Sequence, residues 1–194
     1  REFSKRFIES LNFGIENIEN EYFLRVLEVN KSDDCDDINN ITFEDHNLRF
    51  EDRIFRFFED IFKLNNNSVF VGNFNINTIE NMKILYMLRD LDYRDSIKLI
   101  NILRSHIREE EAYKVNDFDV FKMFLTLCTR EIHFPSFYFN KLDIMVFTHY
   151  DLSTLMFFKD ENYIHTYMQL AKVNDLNLRE KETQIKIKPL IEVL

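Results

Sequence analysis

The feature that most constrains this chain is a change of hydrophobic rhythm at Pro135. Before it, apolar residues recur at steps of three and four; after it, aromatic and β-branched residues crowd into short runs. The first pattern is one face of a helix and the second belongs to strands. Helices are therefore expected first, and a sheet afterwards.

Phe3, Phe7, Leu11, Ile15, Ile18, Tyr22 and Val26 trace one helical face, although Gly14 weakens it and 22–29 could instead be a strand. Residues 30–47 read as a loop rich in Asp and Asn. Phe50, Ile54, Phe57, Phe58, Ile61 and Phe62 then form a wide apolar stripe. Asp52 with Arg56 and Glu59 with Lys63 are acid-before-base pairs four apart, which support a helix there. Asn65, Asn66 and Asn67 end it, and 69–71 fit a short strand before Gly72.

Asn77, with Glu80 three residues on, predicts the next helix start. Residues 79–88 are apolar nearly all round, so that helix is expected to be central. Asp92 caps the following one, with Tyr93, Ile97, Ile100, Leu103 and Ile107 expected inward and 109–111 at its exposed end. A fifth helix after Asn116 aligns Phe118, Phe121, Leu125 and Cys128. Beyond Pro135, strands are expected at 136–139, 143–150 and 153–159, the last two joined by a turn at 151–153. Asp160 then caps a helix carrying Ile164, Tyr167, Met168 and Ala171, and a strand returns near 176–188. The class is α+β: N-terminal helices packed with a small C-terminal sheet of strand-strand-helix-strand order. A single domain, 1–194, is expected, with an acidic loop 30–47, a helical part 48–132 and a sheet-containing part 136–194.

Composition supports a large core. The 194 residues include 21 Phe, 8 Tyr and 20 Ile but no Trp, and a chain of this length buries roughly 70 % of its unfolded surface. Gly, Ala and Pro occur twice each while Asn occurs 20 times, which fits an AT-rich genome. Cys35 and Cys128 lie far apart with no C-x-x-C spacing, so two free thiols and a reducing, cytoplasmic compartment are expected. No basic-then-apolar leader and no apolar run near 18 residues is visible.

The net charge of −9 is uneven, since residues 1–60 hold 8 basic and 16 acidic side chains. An acidic chain is a poor holder of nucleic acid, and no basic amphipathic helix suggests a membrane surface. The excess is densest at Asp33, Asp34, Asp36, Asp37, Glu44 and Asp45. Such a run is commonly a solvated loop; its functional reading is an acidic face that steers a basic protein partner, with Phe43 as an apolar anchor. Calcium does not fit, because this stretch lacks the central Gly of an EF-hand loop.

Catalytic patterns are incomplete. A P-D…(D/E)-x-K nuclease core would use Asp143 and Lys159, but Phe157 stands where the second metal-binding acid belongs. His149 and Asp151 are two apart near a turn, with His133 upstream, yet no zinc-ligand spacing exists. No nucleophile elbow or phosphate loop is present. No catalytic residue, metal or cofactor is assigned, and an enzyme is not expected. A small apolar ligand between the Phe-rich helices stays open.

The aromatic helix 50–62, the strand 68–71, Phe139 with Asn140, and Tyr150 with Asp151 are similar in order to an uncharacterised family of small bacterial proteins. That family has a strand ending in Tyr-Asp-Asp-Arg-Gly, where this chain continues with Leu152, Ser153 and Thr154. The resemblance implies a cytoplasmic bacterial protein encoded beside toxins. The expected function is a non-enzymatic protein-interaction domain, inhibitor or immunity-like. The alternatives are a structural or regulatory domain of a larger bacterial or viral protein, and a catalytically dead nuclease-like fold.

Overall fold

The computed structural model describes residues 7, 21–29, 43–74, 81–105 and 112–180. Within them lie seven strands: β1 (Phe23–Val29), β2 (Val69–Gly72), β3 (Ala112–Val115), β4 (Ser136–Phe139), β5 (Ile144–Thr148), β6 (Thr154–Phe158) and β7 (Leu176–Glu180). Five α-helices accompany them: α1 (Phe43–Leu64), α2 (Asn81–Asp90), α3 (Tyr93–Ser105), α4 (Phe118–Thr129) and α5 (Ile164–Val173). All strands join one sheet in the order β3-β2-β4-β5-β6-β1-β7, with every neighbour antiparallel. Because β6 and β7 both run against β1, they are parallel to each other, and α5 makes the crossover that this requires.

The α+β class therefore holds, but the sheet is neither small nor C-terminal. It recruits β1, β2 and β3 from the first 115 residues. β1 adopts the strand alternative of 22–29, because β6 and β7 flank it on both sides and satisfy its backbone groups. β3 is only four residues long, too short to show a period, and it gains its ladder from β2. Four strands follow residue 133.

The central strands alternate between two apolar layers. Phe137, Phe139, Ile144, Val146, Met156 and Phe158 belong to the layer that contains α1, α4 and α5. Tyr138, Met145, Phe147 and Phe157 belong to a second cluster, where Phe7 stacks on Tyr138 with ring centroids 5.3 Å apart. Both faces of the meander are thus buried, and such strands read as continuous apolar runs. On the helical side, Phe121 packs against Phe58, Phe62, Phe137 and Phe139 at 5.0–6.0 Å, mostly edge to face.

Asn and Asp make the sharp corners in a chain with two glycines. Asn66, Asn67, Asn73, Asp143, Asp151 and Asp175 all take positive φ, which their short polar side chains tolerate better than most. Asn65 also bonds the Ile61 carbonyl and the Tyr167 hydroxyl, and its Oδ1 accepts from the Leu142 amide. The end of α1 is thereby tied to α5 and to the β4–β5 turn. No helix among the described residues is long and apolar enough to cross a membrane.

Candidate functional site

Asp33, Asp34, Asp36 and Asp37, together with Cys35, lie outside the described residues. Phe43, Glu44 and Asp45 begin α1, so they stand on a helix and not in a loop reaching to residue 47. Acids in a first turn favour the helix dipole, which is a local reason for the earlier start.

The hairpin does bring Asp143 and Lys159 together. The Lys159 amide donates to the Asp143 carbonyl at 3.2 Å, and the Tyr22 hydroxyl donates to Asp143 Oδ1 at 3.4 Å. Lys159 Nζ lies 4.9 Å from the centre of the Tyr22 ring and 3.4 Å from Glu21 Oε2. Burial, and then the Asp143 charge, pushes the Tyr138 phenol well above its ordinary range. Phe157 is wholly buried in the second apolar cluster. Among the described residues no group of three or more His, Cys, Asp or Glu could hold a metal ion. This set locks the start of β1 to the hairpin: the Asp143 and Glu21 carboxylates, the Lys159 ammonium and the Tyr22 phenol, each already engaged.

His149 and Asp151 do not share a strand face, because β5 ends at Thr148 and Asp151 is in the turn with φ 57°. The Asp151 amide instead donates to Glu131 Oε1 at 2.7 Å. His133 Nε2 lies 2.7 Å from the Asn73 carbonyl, which can only accept, so that nitrogen carries the proton. Burial, with Lys83 nearby, lowers the imidazole to about 4, and Nδ1 is buried without a partner. Cys128 is a buried free thiol whose Sγ donates to the Phe124 carbonyl; desolvation raises it to about 12. The cavity beside it, about 20 Å³, has room for one water at most. Such a thiol is inert.

The helical hairpin α2–α3 departs most from expectation. Met87, Leu91 and Leu99 are buried, while Met82 (57 %), Leu85 (60 %), Tyr86 (47 %), Tyr93 (80 %), Ile97 (41 %) and Ile100 (39 %) are exposed. Residues 79–88 were expected to be central, and Tyr93, Ile97, Ile100 and Leu103 to face inward; Met87 is buried and Ile84, Leu88 and Leu103 pack against the core, but Met82, Leu85, Tyr86, Tyr93, Ile97 and Ile100 face outward. Met82, Leu85, Tyr86 and Arg89 stand at i, i+3, i+4 and i+7 on α2. Tyr93, Ile97, Ile100 and Arg104 stand at i, i+4, i+7 and i+11 on α3. Each set is one helical face. Six of the twelve exposed large hydrophobic residues among those described fall on these two short helices. Scattered exposed apolar residues are ordinary, but concentrated ones mark contact surfaces.

The hairpin is held firmly from behind. Arg130 Nη1 donates to the Asp90 carbonyl at 2.8 Å, while its other nitrogens reach both oxygens of the buried Glu51 at 3.2 and 3.3 Å. Thr129 Oγ1 donates to Glu51 at 2.6 Å. Lys98 Nζ donates to the Asp119 carbonyl at 3.2 Å, and Ser96 Oγ to that of Leu88 at 3.2 Å. Asp92 Oδ1 accepts from the Asp95 amide at 2.8 Å, capping α3 as expected. The outward stripes are therefore presented on rigid elements. Sequence periodicity located the α3 stripe but assigned it to the interior, and α2 was read as apolar nearly all round.

Family models, curated proteins and solved structures return no match to this chain.

Proposed function

We propose that the chain is a non-enzymatic protein-interaction domain, and that the outward faces of α2 and α3 are its docking surface. The observation that carries this reading is the exposure of Met82, Leu85, Tyr86, Tyr93, Ile97 and Ile100 on a hairpin clamped by Arg130 and Lys98. Aromatic and Met side chains are enriched at the cores of protein interfaces. A preorganised surface also loses less entropy when a partner binds. The test compares affinity capture by the wild type and by a Leu85→Asp, Ile97→Asp double variant of unchanged circular dichroism. A protein retained by the first and lost by the second supports the reading, and identical captured sets overturn it.

The acidic N-terminal stretch supports a second contact. Asp33, Asp34, Asp36, Asp37, Phe43, Glu44 and Asp45 fall within the region that holds a −8 excess, and one-signed patches accelerate encounter with a basic partner. Replacing Asp33, Asp34, Asp36 and Asp37 with Asn is expected to slow that association several-fold at low salt. An unchanged association rate at every ionic strength would reduce the stretch to a solvated linker.

A further inference from the structure

Resting on the docking surface proposed above, we infer that its occupant is an amphipathic helix with acidic flanks. The charge around the stripes runs against that of the chain. Residues 81–105 carry Lys83, Arg89, Arg94, Lys98 and Arg104 against Asp90, Asp92 and Asp95, a net +2 in a protein of net −9. Arg89 pairs with Asp90 and Lys98 with Asp95, and Asp92 is used as the cap of α3. Lys83, Arg94 and Arg104 have no carboxylate partner among the described residues. Arg89 also lies over the Tyr86 ring, 5.0 Å from its centroid, so a cation edges the apolar stripe itself.

The apolar stripes ask for an apolar counter-face, and the unpaired cations ask for carboxylates beside it. Stripe length sets the scale of the occupant. The ten residues of α2 and thirteen of α3 extend about 15 and 20 Å, so a helix of three to four turns matches either. A grooved helical surface reads such a ligand through anchors spaced i, i+3, i+4 and i+7.

Two other occupants fit less well. In a symmetric dimer through this face, the three unpaired cations of one copy would meet those of the other. An anionic membrane extends far beyond the hairpin and would meet the rest of a −9 chain. A single helix touches only the local +2 segment, because charges beyond ~8 Å are screened at physiological ionic strength.

The experiment titrates the full chain into two labelled helical peptides of about 14 residues. They share a Leu stripe and differ only in having Glu or Lys flanks. The Glu peptide is expected to bind at least about ten-fold tighter, as desolvated charge pairs allow. That preference is expected to collapse in an Arg94→Glu, Arg104→Glu variant, and both peptides are expected to lose binding to Leu85→Asp, Ile97→Asp. Circular dichroism of each variant checks the fold. Equal binding of the two peptides, lost in the Leu85→Asp, Ile97→Asp variant, keeps the docking face and overturns the acidic partner. Absence of binding by either peptide, or binding that survives Leu85→Asp, Ile97→Asp, overturns both readings. Cosedimentation with phosphatidylserine vesicles, or concentration-dependent self-association abolished by the same variant, would replace the helix with a membrane or a second copy.

Discussion

The β4–β6 meander and the α2–α3 hairpin are similarly rich in apolar residues, and they meet opposite fates. In the meander, Phe137, Tyr138, Phe139, Ile144, Met145, Val146, Met156, Phe157 and Phe158 are all buried, since both faces of the sheet are covered. In the hairpin, Met87, Leu91 and Leu99 are buried while six large apolar side chains of the same two helices are exposed. Apolar content thus reports how much surface avoids water, but not whether the chain itself supplies the cover. Where it does, the residues are core; where it does not, a partner is the natural cover.

The comparison is broken most severely inside the covered layer. Phe121 touches five other rings, so Phe121→Ala removes a hub and leaves a cavity too confined to collapse fully. A loss of about 3–5 kcal/mol is expected from urea unfolding. A loss under about 1 kcal/mol would mean that the layer repacks freely.

Acid tests the seam between the two regions, where His133 bonds the Asn73 carbonyl and Lys83 of α2 lies nearby. Its folded value of about 4 lies below the ordinary 6.5. Above pH 6.5 both folded and unfolded states hold it neutral, and it adds no pH dependence. Between pH 6.5 and 4 the unfolded chain takes up a proton that the folded chain refuses, so stability falls; below 4 the loss is complete. Its upper bound is about 3 kcal/mol. A His133→Phe variant is expected to lose this part of the profile, and parallel profiles would refute the assignment.

The clamp behind the hairpin comes next. Arg130→Ala leaves the Glu51 carboxylate, 12 % exposed, with Thr129 as its remaining polar contact, and frees the Asp90 carbonyl. Removing one partner of a fully buried pair costs about 3–5 kcal/mol. Because the Arg130 side chain is a third exposed, solvent screening reduces this to about 2 kcal/mol. Hydrogen exchange is expected to rise first in α2.

Much of the frame was legible in the sequence, and the failures have a common cause. The stripe from Phe50 to Phe62, the stop at Asn65, Asn66 and Asn67, and the cap Asp92 are local signals that structure obeys locally, while Asp160 caps the 3-10 turn Glu161–Tyr163 that leads into α5 and not α5 itself. β1 and β3 depend on partners distant in sequence: Val26 pairs with Leu155 and Arg179, and Tyr113 with Val71. The hairpin failed for a subtler reason. A period of 3.6 reveals that a helix has an apolar face, but α2 and α3 are apolar on more than one side. Which side turns inward is decided by Met87, Leu91 and Leu99 and by the Arg130 and Lys98 clamps, none of which leaves a periodic trace.

The smallest expected effect is the sharpest test of the contrast. Leu85 and Ile97 resemble Leu99 in chemistry and share its helical hairpin, yet only Leu99 is wholly buried. Leu99→Gln places an amide among apolar neighbours with no partner assured, a change expected to cost about 2–4 kcal/mol. Leu85→Gln and Ile97→Gln exchange one solvated group for another, so each is expected to shift stability by less than about 0.5 kcal/mol. A slight gain is also consistent, because the exposed apolar area is stabilised by nothing in the isolated chain. Urea unfolding of the three variants separates the cases directly. Losses at Leu85 and Ile97 comparable to that at Leu99 would mean that this face is covered by the chain itself, and the docking surface would go with it.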